Sequence, residues 1–99
     1  MVASVRGSSP DLTARQLAVF LKIYLEPGAE HTVRGLAAEL NVAKPAITRA
    51  LDRLEELDLT RRQTDPKDRR SVIARRTTTG SGYLRTLGGY FTEASKQVR

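Results

Sequence analysis

The sequence predicts a mainly α-helical domain carrying a small β-hairpin, in the order α-α-α-β-β-α, and three observations predict it. Between Lys44 and Leu57, Ile47, Leu51, Leu54 and Leu57 recur at offsets of three and four with Ala50 beside them, which is one stripe of an amphipathic helix. The period then changes: two short runs, residues 59–64 and 71–77, flank the turn-prone Asp65-Pro66-Lys67-Asp68, the pattern of a two-stranded hairpin. Upstream, two more amphipathic stretches stop at Pro27-Gly28 and at Asn41. A helix followed at once by a basic hairpin is the layout of a winged helix-turn-helix.

In chain order, residues 1–11 have little to bury and contain Gly7-Ser8-Ser9-Pro10, so they are expected to form a flexible arm before a winged domain over 12–80 and a C-terminal helix over 81–99. Thr13 and Gln16 form a capping-box signature for a helix running to about Leu25. Its Leu17, Phe20, Leu21, Tyr24 and Leu25 are expected on one face, in the core. Residues 29–31 are expected to add a brief third strand at the base of the wing. Thr32 suits the N-cap of a short helix, Val33–Leu40, that buries Val33, Leu36, Ala37 and Leu40. Asn41 tolerates the left-handed conformation that closes it. The next helix begins near Lys44, with Pro45 in its first turn, where the missing N–H costs no hydrogen bond.

Composition narrows the function. The 99 residues make one domain, and 17 Lys and Arg against 11 Asp and Glu give a net charge of +6, which fits an anionic partner. Residues 61–76 hold seven cationic side chains and two acidic ones, a local excess of five. One histidine and no cysteine assemble neither a nucleophilic triad nor a histidine- or cysteine-rich metal site. Glu55-Glu56 and Asp65/Asp68 sit at an exposed helix end and a hairpin tip, where water solvates them. No enzymatic activity and no cofactor are expected. With no apolar run long enough for a membrane span and a polar N-terminus, the expected location is cytoplasmic.

If the helix enters the major groove of DNA by its N-terminal part, its exposed first turns reach base edges and later ones reach the backbone. That selects Lys44, Pro45, Thr48 and Arg49, with Arg49 placed to fork onto a guanine and Arg53 to meet phosphate. Ala46 stands at the boundary, where it could contact a thymine methyl, and burial is its favoured role. Ala43 offers no side-chain cap, so the first-turn N–H groups are open to a DNA phosphate. In the hairpin, Pro66 stiffens the tip while Asp65 and Asp68 hold arginines or accept local backbone hydrogen bonds. The bland alternatives are an ordinary solvated helix face and a hairpin whose charges neutralise each other.

Several strings also resemble the MarR (multiple antibiotic resistance regulator) family: LDRLEE at 51–56, DPKDRR at 65–70, LTARQLAV at 12–19 and VRGLAAELNV at 33–42. The resemblance covers roughly residues 12–80. It implies that an arginine of the wing, Arg69 or Arg70 and preferably Arg70, enters the minor groove, a cation being attracted to its concentrated negative potential. Arg61, Arg62, Lys67 and Arg75 are then phosphate candidates. The chain departs from the family pattern at Ala43, in place of a serine-like cap, and at Asp58, in place of glycine. Thr60 replaces an apolar residue, and Arg76 replaces leucine, so that it must reach outward or find a carboxylate.

Eleven residues precede Leu12 and nineteen follow Gly80, less than the resemblance implies for the helices that build the family's dimer and ligand cleft. Tyr83, Leu84, Leu87, Tyr90 and Phe91 keep helical spacing across Gly88-Gly89, a pair that a kink or close backbone contact should offset. They are expected to pack on a second copy in a twofold homodimer reading an inverted-repeat operator, the competing reading being that they complete their own core. A small-molecule ligand is disfavoured. The leading expectation is a sequence-specific double-stranded DNA-binding transcriptional regulator acting as a repressor. The alternative is an adaptor that binds another regulator through its basic wing.

Overall fold

Thr13 opens the first helix, α1 (Ala14–Leu25), by the expected reciprocal cap: its hydroxyl accepts from the Gln16 N–H while the Gln16 side chain accepts from the Thr13 N–H. The computed structural model describes residues 11–26, 28 and 30–98, with side chains through Gly89. Residues 1–10 of the expected arm over 1–11, Pro27, Ala29, and the side chains of Tyr90 and Phe91 lie outside the described residues.

The buried stripe of α1 is Val19, Phe20, Ile23 and Tyr24, with Leu17 and Leu21 partly buried beside it. Leu25 corrects the sequence reading: it is 62% exposed. It lies about 140° round the helix from Phe20, outside the stripe that Phe20 and Tyr24 define. Next come β1 (His31–Thr32) and α2 (Val33–Leu40), capped as expected by the Thr32 hydroxyl on the Gly35 N–H and closed by Asn41 at φ 57°. Helix α3 (Lys44–Glu56) buries Ala46, Ile47, Ala50, Leu51 and Leu54 against α1 and α2. At about 1.5–3 kcal/mol per buried large apolar side chain, this shared cluster is what fixes the angle of α3.

The wing consists of β2 (Thr60–Asp65) and β3 (Asp68–Arg76), and β1 adds to its base in the order β1-β3-β2, with His31 opposite Ala74 and Thr32 opposite Ile73. The third strand occupies 31–32 and leaves out Glu30, where the expectation ran over 29–31. The hairpin is tighter than expected, since the strands run into both aspartates and leave Pro66-Lys67 as the turn. The register shifts between Thr64, opposite Val72, and Asp65, opposite Asp68. Arg69, Arg70 and Ser71 thus bulge from the ladder at the tip.

Helix α4 (Thr78–Val98) follows directly. Its start is tied to α1 and to the corner between α3 and β2. The Tyr24 hydroxyl donates to the Leu59 carbonyl at 2.6 Å and accepts from the Thr77 N–H at 2.9 Å. The Thr77 hydroxyl accepts from the Gly80 N–H, capping α4, and donates to the Asp58 carbonyl at 2.7 Å. Asp58 stands at φ 60°, the left-handed conformation a glycine would adopt more easily, and its carboxylate takes the Thr79 hydroxyl at 2.9 Å. Arg76 ends β3 exposed. Among the described residues, a Cβ at Gly88 or Gly89 would meet no atom within 4 Å. No helix among the described residues is long and apolar enough to cross a membrane.

Candidate nucleic-acid interface

Because α3 buries the Ile47–Ala50–Leu51–Leu54 side, its N-terminal half turns Lys44, Pro45, Thr48 and Arg49 outward, and all are exposed. Ala46 is 8% exposed and belongs to the core rather than the surface. Ala43 makes no side-chain capping bond, and Pro45 stands in the first turn. Proline lacks an N–H, and the Ala46 and Ile47 N–H groups both donate to the Ala43 carbonyl, at 3.0 and 3.4 Å, so the expected set of open first-turn donors shrinks to the Lys44 N–H at most. One turn further, Arg53 is half-exposed and pairs with Glu56 at 3.1 Å.

At the wing tip each aspartate accepts a backbone N–H two residues on, Asp65 from Lys67 at 2.9 Å and Asp68 from Arg70 at 3.1 Å. These local bonds shape the turn and the bulge. The Arg70 side chain is 89% exposed, with one long contact to Asp68 at 3.4 Å. Arg69 and Lys67 are exposed and make no ion pair among the described residues. Arg75 donates to Gln63 at 2.9 Å across the ladder, and Arg61 lies 3.4 Å from Asp58.

Arg62 is placed differently from the expectation that it meets phosphate. Its backbone N–H, Nε and Nη2 all donate to Glu55, at 3.1, 3.2 and 2.7 Å, and Nη2 also donates to Asp52 at 2.6 Å. The side-chain hydrogen bonds from Arg62 hold the Glu55 carboxyl below its ordinary value against the opposing effect of burial, and raise the Arg62 guanidinium in turn. Among the described residues no cluster of His, Cys, Asp and Glu could hold a metal ion.

Between the N-terminal half of α3 and the wing runs a groove lined by Arg34, Lys44, Thr48, Arg62 and Arg70, with no carboxylate in its walls. Sequence reasoning missed Arg34. It sits exposed in the first turn of α2, and the available signal was its place one residue after the helix start, which turns it toward the start of α3. Tyr83, Leu84 and Leu87 are partly buried on their own chain's core, Tyr83 edge-on to Phe20 at 5.2 Å between ring centroids.

No curated protein matches the sequence significantly. Solved structures do. A mutant of MepR from Staphylococcus aureus is 24% identical over 89% of this chain and 63% of its own, at a TM-score of 0.81. A structure of MarR is 30% identical over 88% of this chain and 62% of its own, at 0.74. S. aureus MepR in complex with DNA is 24% identical over 88% and 70%, at 0.80. The chain thus spans under two thirds of the length of the first two. The family model that matches, that of the MarR family, covers residues 12–72 of the 99, and by that match the chain belongs to the MarR family.

Proposed function

We propose that this chain is a sequence-specific double-stranded DNA-binding transcriptional regulator, acting as a repressor by occluding a promoter. MarR-family proteins are transcriptional regulators and not enzymes, and the MepR structure of similar fold is a complex with DNA. The observation that carries the reading is that Lys44 and Thr48 of α3 face Arg70 of the bulged wing across one carboxylate-free groove, with Arg49 and Arg69 exposed on the same two elements. In this reading Lys44, Pro45, Thr48 and Arg49 face base edges in the major groove. Arg69 and Arg70 enter the neighbouring minor groove, and Arg34, Arg53, Arg61, Lys67 and Arg75 meet phosphates.

A twofold homodimer would set two such units on an inverted repeat. Since Tyr83, Leu84 and Leu87 already lean on their own core, the proposed contact between copies falls mainly on α4 beyond Leu87, where the sequence places Tyr90 and Phe91. Fluorescence titration against the protein's own upstream region at several salt concentrations tests the reading. The expected result is tight, sequence-dependent binding, with log K falling against log salt by about 0.9 per phosphate neutralised. Salt-insensitive or absent binding would favour the adaptor instead.

A further inference from the structure

We propose that Glu55, acting through Arg62, is a positioning residue that fixes the wing relative to helix α3, so that the two cationic features span adjacent grooves at one set distance. The inference rests on the DNA-binding reading above. The apolar core reaches only the base of the wing, at Leu59, Thr60, Ile73 and Ala74. Beyond it on β2, Arg61, Gln63 and Thr64 are exposed, and Arg62 alone of residues 61–64 turns inward, its side chain 26% exposed.

There Arg62 binds helix α3 at two carboxylates one turn apart, Asp52 and Glu55, through a planar fork whose geometry fixes direction as well as distance. The Glu55 carboxylate closes the clamp by also accepting the Arg62 backbone N–H at 3.1 Å, so strand and side chain are held together. Without this tie, the hairpin would be joined to α3 only through the left-handed corner at Asp58 and the base of the sheet. A guanidinium so engaged is poorly available to a phosphate, and a carboxylate beside a DNA-facing surface repels the ligand.

Electrostatics and positioning therefore call for opposite signs. Removing a negative side chain should tighten DNA binding if Glu55 is a bystander and weaken it if Glu55 positions the wing. The experiment is a double-mutant cycle of Glu55→Ala and Arg62→Ala, titrated on one duplex across salt, alongside a distance measurement. For the latter, spin labels on Thr48→Cys and Lys67→Cys are convenient in a chain without cysteine.

Expected are a loss of affinity of about fivefold or more in Glu55→Ala with an unchanged salt slope, no further loss in the double variant, and a broadened label-distance distribution. Tighter or unchanged binding in Glu55→Ala, additive losses with a slope reduced by about one phosphate in Arg62→Ala, or an unbroadened distance distribution would overturn the proposal. If the parent binds no duplex, the proposed function fails by itself, and the label distances alone decide whether the clamp holds the wing.

Discussion

The backbone of Gly80 abuts the hydroxyl of Tyr24, leaving no room for a Cβ between them or against the Leu59 carbonyl. The hydroxyl cannot retreat, because it bridges the Leu59 carbonyl and the Thr77 N–H. Gly80→Ala, which in an exposed helix would stabilise, is therefore expected to destabilise by about 2 kcal/mol through overpacking. For a domain of this size that lowers Tm by roughly 10 °C in a thermal melt.

Tyr24→Phe isolates the hydrogen bonds of that joint from its packing. The ring stays stacked on Phe20 at 4.4 Å, while the buried Leu59 carbonyl and the Thr77 N–H lose their partner. The expected cost is about 1–3 kcal/mol in urea unfolding, with the slope m unchanged.

This joint shows where the sequence stopped being legible. Helical periods, caps at Thr13 and Thr32, the left-handed Asn41 and the uncapped start at Ala43 were readable because each depends on neighbours within four residues. Asp58 was legible as a glycine substitute, but not the threonines 19 and 21 residues away that bind it. The Arg62 clamp was hidden for the same reason: Glu55 reads as a solvated charge at a helix end until β2 folds back beside it and Asp52. The position of Leu25 was legible too: five residues on from Phe20 it stands about 140° round the helix, so its apolar character argued for the core against its angular position, and the angle decides.

Thr60 is fully buried and its hydroxyl has no partner among the described residues. Thr60→Val keeps the β-branched shape and removes the unsatisfied group, so it is expected to raise stability by about 1 kcal/mol. An unchanged or lower urea midpoint would show that the hydroxyl is satisfied in solution.

Glu55 gives stability a pH dependence of definite sign. Hydrogen bonding to Arg62 depresses its folded-state carboxyl below the ordinary 4.5, so below that value the unfolded state binds more protons and stability rises with pH. The contribution is complete above 4.5 and is lost as pH falls through the depressed value. Urea midpoints of the parent and Glu55→Gln, measured from pH 7 downward, are expected to differ most near neutrality and to converge in acid.

The division of labour across the interface is testable with three substitutions at exposed positions. Arg49 can fork onto one guanine, a contact worth about 1–3 kcal/mol of base discrimination, so Arg49→Ala is expected to narrow the gap between operator and scrambled duplex. Lys67, exposed at the turn of the wing, is a phosphate contact in the proposed reading. Lys67→Ala should weaken every duplex alike and reduce the salt slope by about one phosphate. Arg70 is almost fully exposed on the bulge, and if it enters the minor groove as proposed it responds to groove width rather than base identity, so Arg70→Ala should cost most on duplexes with A·T runs beside the half-site. If all three variants lose affinity by the same factor on operator and scrambled DNA, α3 serves as a cationic surface rather than a reader of sequence.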